Sequence, residues 1–593
     1  MMLANLLRKL MTLTRSDCLP VVRSEHRVWH VTRAGIEFFG DQGPQVDLWL
    51  KSGSATLVKT NPARTVYRVE LPGGIVFIKH CKITGLRSWA REVIRLPKAR
   101  LEFENSLALR ERNIPAVEPL AWGHLDSYHP GESYLITRGH TAAVPFIHYL
   151  EHTLPTLSPG EYRQVCHQIA CALGRFLARL HDAGVAHPDP HPGNLLIEPP
   201  CGRPVSFALI DLHAISISRP LSWAKSRENL VLFNRWFQLR ASRADRIRFW
   251  HAYRHARKRL SVPNEADLRH GAMELERDTT ASNLRFWATR ESRYLDHNRH
   301  YQRVRQRHVR GWAVRDLPPA FLQQLLANPD APFSGHTGDN PPAIEQSHVL
   351  KDSPTSTVVE MTMPGPNGPL EVVLKRVNVR SWMTPVKNLL RPSQVLRSWV
   401  NGHALRDRRL PTPRPLAAFH RLRNGLPAEG YLLTEKVPGA VAIDVAISSA
   451  APPAAGAGVN PAGATASRHP FGAVSTALAR VLRAMHDRAV SHRDLKAANI
   501  LLANGQDPTL IDLVGVRTKV CLSDSQRAKE LARLNASFLN SPHVNRPDRL
   551  RFLLAYLSAG QASSTDWKIW WKMICRATAA KAAKNRRRKR MLG

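Results

Sequence analysis

A chain of 593 residues exceeds what one hydrophobic core organises, so two to four domains are expected, and its 43% hydrophobic content suits a folded, soluble protein. With 85 Lys and Arg against 47 Asp and Glu, the formal charge of +38 favours anionic partners: nucleic acid, anionic lipid or phosphorylated glycan. Seven cysteines without a CxxC pair argue against a disulfide framework or zinc ribbon and fit a reducing cytosol best. No window of 18 apolar residues is present, so only peripheral membrane association is open.

The first 20 residues, MMLANLLRKLMTLTRSDCLP, interrupt their apolar run with Arg8, Lys9 and Arg15 and lead to no small-residue cleavage site, a poor signal peptide. Strand-like runs follow, TVYRVEL from Thr65 and GGIVFIKH to His80, rich in β-branched residues and separated by turn residues. This predicts an antiparallel meander. A helix-period segment and the strand-like SYLIT, Ser133 to Thr137, lead to YRQVCHQIACALGRFLARLHDAG, which carries apolar residues at helical spacing. The loop AHPDPHPGNLLI and the run FALIDLHAI complete a unit placed at 20–257.

Residues 258–345 are charged and helix-prone and then loop-like, and are expected to form a helical linker and loop. Beyond them the chain repeats itself. IVFIKH recurs as EVVLKR and LRERNIPAVEPLA as LRDRRLPTPRPLA, both at an offset of 296; FALIDLHAI recurs as PTLIDLVGV at 301, and DRIRFWHAY as DRLRFLLAY at 303. Four matches in one order at nearly constant offset identify a tandem duplication, with unit 2 at 346–593. Inside unit 2 the Ala/Pro/Gly-rich stretch 448–470 is expected to be a disordered insertion, and the chain ends in a basic tail, 581–590. The segment from Trp567, with Trp570 and Trp571 near Lys and Arg, suits either an interfacial helix or a last helix packing its tryptophans on the lobe. The fold class expected is α+β, each unit a small β-rich lobe followed by a larger helical one.

The duplication aligns two loops, AHPDPHPGNLLI and SHRDLKAANILL. In each, a His precedes an Asp by two and an Asn follows that Asp by five: His187, Asp189, Asn194 and His492, Asp494, Asn499. A zinc site at His187, Asp189 and His191 is set aside, because Lys496 stands where His191 does and leaves His191 an ordinary loop residue. Upstream, Lys79 and Lys375 each end an apolar strand; downstream, Asp211 and Asp512 each end an apolar run. Phosphoryl transfer needs a cation on the nucleotide phosphates, a carboxylate beside the acceptor hydroxyl and oxygen ligands for Mg²⁺, and these residues supply them in protein-kinase order.

The residues resemble the kinase-like lipopolysaccharide kinases that phosphorylate Kdo or heptose sugars of the lipid A core. Glu102 to Gly123 is similar to that family's helix C and its exit, and RFLARLHDAGVAHPDPHPGNLLI to the helix leading into its catalytic loop. HPDPHPGN is also similar to the loop of atypical kinases linked to ubiquinone synthesis, whose KxGQ helix motif is not apparent here. The resemblance implies ATP and Mg²⁺ as cofactors. In unit 1 it implies Lys79 on the nucleotide phosphates, Glu102 (or Glu104) paired with it, Asp189 as base, and Asn194 and Asp211 on the metal. In unit 2, Lys375, Asp494, Asn499 and Asp512 remain, but Ser398 stands in the position of Glu102, which puts turnover there in doubt.

Neither unit has a GxGxxG loop; KTNPAR, Lys59 to Arg64, and KDSPTS, Lys351 to Ser356, lack glycine, so phosphate contact would fall to Lys59, Arg64 or Lys351. DLH and DLV stand where protein kinases have DFG, and no activation segment is visible. The expected activity is an ATP-dependent sugar or glycolipid kinase at the cytoplasmic membrane face, centred on unit 1, with unit 2 active or regulatory. The alternatives are a protein Ser/Thr kinase, favoured by Lys496 two residues after Asp494, and a non-catalytic nucleotide-binding scaffold. Nucleic acid is disfavoured because no stacking-aromatic or finger motif accompanies the charge.

Overall fold

A sheet of seven antiparallel strands is built twice, in the same order. In the computed structural model, residues 19–86, 89–90, 95–126, 131–200, 204–258, 260–306, 308–333, 345–365, 368–379, 391–449, 470–518, 521–558 and 567–592 are described. The chain divides into two units, Met1–Ser282 and Asn283–Gly593. The first sheet runs Val21–Ser24, Arg27–Val31, Pro119–Leu125, Ser133–Arg138, Gly74–Cys81, Arg64–Leu71, Ala55–Asn61. The second runs Tyr301–Gln306, Val309–Val314, Pro415–Arg423, Leu426–Glu435, Gly368–Val377, Ser356–Gly365, Glu345–Lys351. Even the register repeats: Lys79 lies opposite Val66 and Leu135, and Lys375 opposite Val358 and Leu432.

The second sheet corrects the expected linker. Within 258–345, Tyr301–Gln306 and Val309–Val314 form a hairpin that enters unit 2's sheet, and helix Pro319–Ala327 buries Phe321 and Leu325 in its core. The charged composition concealed the strand period: Val304 is buried while its neighbours Arg303 and Arg305 face outward. Helix Glu265–Glu291 occupies the first part of this stretch. The insertion 448–470 falls, from residue 450 to 469, outside the described residues.

In unit 1 the helical lobe packs around helix Pro159–Asp182. A reciprocal cap starts it: Ser158 Oγ accepts from the Glu161 amide (3.4 Å) and Glu161 accepts from the Ser158 amide (3.1 Å). Its apolar face, including Leu173, Phe176, Leu177 and Leu180, is buried. Gly174 lets helix Arg243–Ala256 approach so closely that a Cβ there would stand 2.5 Å from the Phe249 carbonyl oxygen.

Each helical lobe also buries a histidine. His181 pairs through Nδ1 with the Tyr253 hydroxyl (2.8 Å) and through Nε2 with Asn229 Oδ1 (3.2 Å); His486 pairs with Tyr556 (2.7 Å) and with Glu530 (3.3 Å). Burial pushes the pKa of His181 down to about 4, of His403 to about 3 and of His420 to about 4. These groups stay neutral when folded but protonate near pH 6.5 when unfolded, so the unfolded state binds more protons below that pH. Stability is therefore expected to be full above pH 6.5 and to fall as pH drops toward 4. Thermal unfolding at pH 7.5, 6 and 5 should show a falling Tm, with a flatter profile for His403→Phe.

Candidate functional site

Alternation along Gly74–Cys81 sends Val76 and Ile78 into the sheet's own core, so Lys79 leaves by the opposite face, toward helix Lys98–Glu111. There its ammonium donates to Glu102; the two side chains are only 13% and 5% exposed. Of the two glutamates offered by the sequence, Glu102 makes this pair, Glu104 lying about 200° further round the helix.

Asp211 follows strand Ser206–Leu209 in the left-handed conformation, φ 61 and ψ 53, and Asp512 repeats it at φ 54 and ψ 61. A non-glycine residue held there twice marks a position fixed by its surroundings. The anchor is the helix: Asn105 Nδ2 donates to the Leu212 carbonyl (2.7 Å), and Asn401 Nδ2 to that of Leu513 (2.8 Å). Both asparagines went unremarked in the sequence, although they stand at the same offset as Glu102 and Ser398.

Asp211 is heavily engaged. Arg64 Nη1 and Nη2 donate to its two carboxylate oxygens at 2.8 and 3.3 Å, and His213 Nδ1 lies 3.0 Å from Oδ1. Burial alone would raise its pKa, but the hydrogen bonds from His213 and Arg64 and the charge of Lys79 outweigh it and hold the carboxyl well below the usual range. A carboxylate oxygen from Glu102 and from Asp211 and a ring nitrogen of His213 lie within 4.8 Å of one another, close enough to share a cation.

The catalytic-loop candidates fold alike in both units. His187 Nδ1 accepts from the Asp189 amide (3.1 Å), and Asn194 Nδ2 donates to the Asp189 carbonyl (2.9 Å). His492, Asp494 and Asn499 repeat these bonds at 3.3 and 2.8 Å. The Ile210 amide donates to the Asn194 carbonyl, as Ile511 does to Asn499 (both 3.0 Å), tying each loop to the chain entering Asp211 or Asp512. Asp189 is 81% exposed, accessible to an acceptor.

His191 is more than the loop residue expected of it. Its Nδ1 accepts from the Gly193 amide (2.9 Å), so the neutral ring carries its proton on Nε2, 3.5 Å from Asp189 Oδ2. Lys496 takes the same place in unit 2, 3.0 Å from Asp494 Oδ2. Against burial, which raises it, Lys496 and Asn499 lower the pKa of Asp494.

Unit 2 departs where its sequence does. Ser398 is buried in the place of Glu102, and Lys375 instead pairs with Asp512 at 3.3 Å. These residues line a cleft of about 440 Å³ with Asn499, Thr434 and Val437. The donor set fits a nucleotide and a divalent cation in both units: a lysine for phosphate, and a side-chain amide and a carboxylate for the metal. Among the described residues no helix is long and apolar enough to cross a membrane. Trp570 is buried in unit 2's core, and Trp567 is exposed, so the last helix packs on its lobe.

Comparison with known proteins adds the family. The model of the lipopolysaccharide kinase (Kdo/WaaP) family matches residues 83–253 and again 386–556. A solved structure of WaaP in complex with acyl carrier protein is 18% identical, aligned over 42% of this chain and 98% of that one with a TM-score of 0.30. No curated protein matches the chain. The two family matches span more than half of the sequence and fall one in each unit: the chain belongs to the lipopolysaccharide kinase (Kdo/WaaP) family, as a tandem duplication of a kinase that uses sugar hydroxyls as acceptors.

Proposed function

We propose that the protein moves the γ-phosphoryl group of ATP, with Mg²⁺ as the divalent ion, to a sugar hydroxyl of a lipopolysaccharide-type glycolipid at the cytoplasmic membrane face, and that unit 1 carries the turnover. The observation that carries this reading is the buried Lys79–Glu102 pair beside Asp211, formed in unit 1 and replaced in unit 2 by Lys375–Asp512. Lys79 binds the nucleotide phosphates. Asn194 and Asp211 hold the cation, which when bound neutralises charge on the phosphates.

Asp189 takes the acceptor's proton as the hydroxyl oxygen bonds to the γ-phosphorus and the bond to the β,γ-bridging oxygen breaks, releasing ADP. His191 on the same carboxylate keeps it turned toward the acceptor. The basic C-terminal end of helix Trp567–Leu592, with Lys584, Arg586 and Arg587 exposed, suits peripheral contact with an anionic membrane.

A second reading, in which unit 2 binds nucleotide and regulates unit 1, is favoured by its open cleft and missing glutamate. Incubating the full chain with radiolabelled ATP and lipid A core, a generic protein or no acceptor is expected to label the glycolipid. Labelling of the generic protein instead would favour a protein kinase, and nucleotide binding without any transfer would favour a scaffold.

A further inference from the structure

Arg64 distinguishes the two sites more sharply than the known family chemistry requires. It opens strand Arg64–Leu71, two residues before Val66, which lies opposite Lys79; the residue in that register of unit 2, two before Val358, is Ser356. His213 has Val514 as its counterpart. Thus the fork on Asp211 and the imidazole beside it are both absent from unit 2, where Asp512 keeps only the contact with Lys375 among the contacts described.

The turn before Arg64 explains why a side chain is needed there. Asn61 Oδ1 accepts from the Ala63 amide (3.0 Å), so a donor that a glycine-rich turn would present to phosphate is already used. A guanidinium at the end of this turn supplies donors in the missing place, and its planar fork matches phosphate oxygens as well as it matches a carboxylate.

We propose that Arg64 is a latch exchanged by nucleotide: in unloaded unit 1 it holds both oxygens of Asp211, and on entry of a nucleoside triphosphate with its cation it leaves the carboxylate to the metal and takes phosphate oxygens instead. This rests on the reading of Asp211 as a metal ligand. The latch makes metal binding to unit 1 depend on nucleotide, because a metal arriving alone must displace a two-oxygen ion pair that is largely shielded from solvent, both side chains being 24% exposed. Unit 2, with Ser356, has only the single-oxygen contact of Lys375 with Asp512 to displace.

The test uses the full chain carrying Asp512→Asn, which removes unit 2's carboxylate, with Mn²⁺ as the metal probe and the β,γ-imido analogue of ATP as the nucleotide. Mn²⁺ alone should bind weakly and the analogue should tighten it. Arg64→Gln is expected to strengthen binding of Mn²⁺ alone, and to weaken the analogue, each by roughly 10–100-fold. Arg64→Lys, which keeps the charge without the fork, should fall between the two in both measurements. If Arg64→Gln leaves both affinities unchanged, or Arg64→Lys equals wild type, the latch is overturned. Asp211→Asn separates the two ideas: should it abolish Mn²⁺ binding in the presence of analogue, the metal-ligand reading stands whatever Arg64 does; should Mn²⁺ still bind, both readings fall together.

Discussion

Asp189→Asn is expected to lower phosphoryl transfer by roughly 10²–10⁴-fold, the contribution of a positioned general base, while Asp494→Asn retains most of it. The substitution keeps the side chain's size and leaves the loop's backbone bonds intact. Asn194 holds the Asp189 carbonyl, and His187 accepts from its amide, neither of which involves the carboxylate. Nucleotide affinity should therefore be unchanged in Asp189→Asn, so that the loss appears in kcat. The reverse ranking, with Asp494→Asn the inactive variant, would transfer the chemistry to unit 2 and leave the Lys79–Glu102 pair a structural feature.

The second large effect belongs to that pair. Glu102→Gln removes the only partner described for the Lys79 ammonium, and a buried ion pair broken on one side costs about 3–5 kcal/mol. Displacement of Lys79 from the phosphates should lower kcat/KM by roughly 10²-fold, with a fall in Tm that Asp189→Asn does not show. The converse change is more telling. Ser398 lies in the corresponding helix, at a buried position, and Lys375 has turned to Asp512 instead. Ser398→Glu offers Lys375 the missing carboxylate and should release Asp512. Measured in an Asp189→Asn background, the double variant is expected to gain transfer above the single one; no gain would mean that the glutamate is not what unit 2 lacks.

Much of this was legible in the sequence because a duplicated chain supplies its own control. Asp189, Asn194 and Asp211 stand out once Asp494, Asn499 and Asp512 repeat their order, and the constant offset at the helix marks Glu102 against Ser398. What escaped was of two kinds. Arg64 meets Asp211 across 147 residues of sequence, and only the folded sheet and helical lobe bring that fork to that carboxylate. Strands Tyr301–Gln306 and Val309–Val314 escaped for a different reason: Arg303, Arg305 and Arg310 face outward beside buried residues such as Val304 and Val309, so composition favoured a charged linker where alternation made a sheet edge. The contact of His191 with Asp189 escaped because it depends on which ring nitrogen the Gly193 amide occupies, a matter of local backbone shape.

The burial of Trp570 has a mechanical consequence. Helix Trp567–Leu592 is pinned at that tryptophan and again where Asn535 Nδ2 meets Thr578 Oγ1 at 3.0 Å, so the arginines that follow on the same helix are mounted on unit 2's helical lobe as on a rigid bracket. They are not a tether able to search a wide radius. Any polyanionic surface they grip is gripped by the lobe as one piece, and binding there fixes which way unit 2's cleft faces.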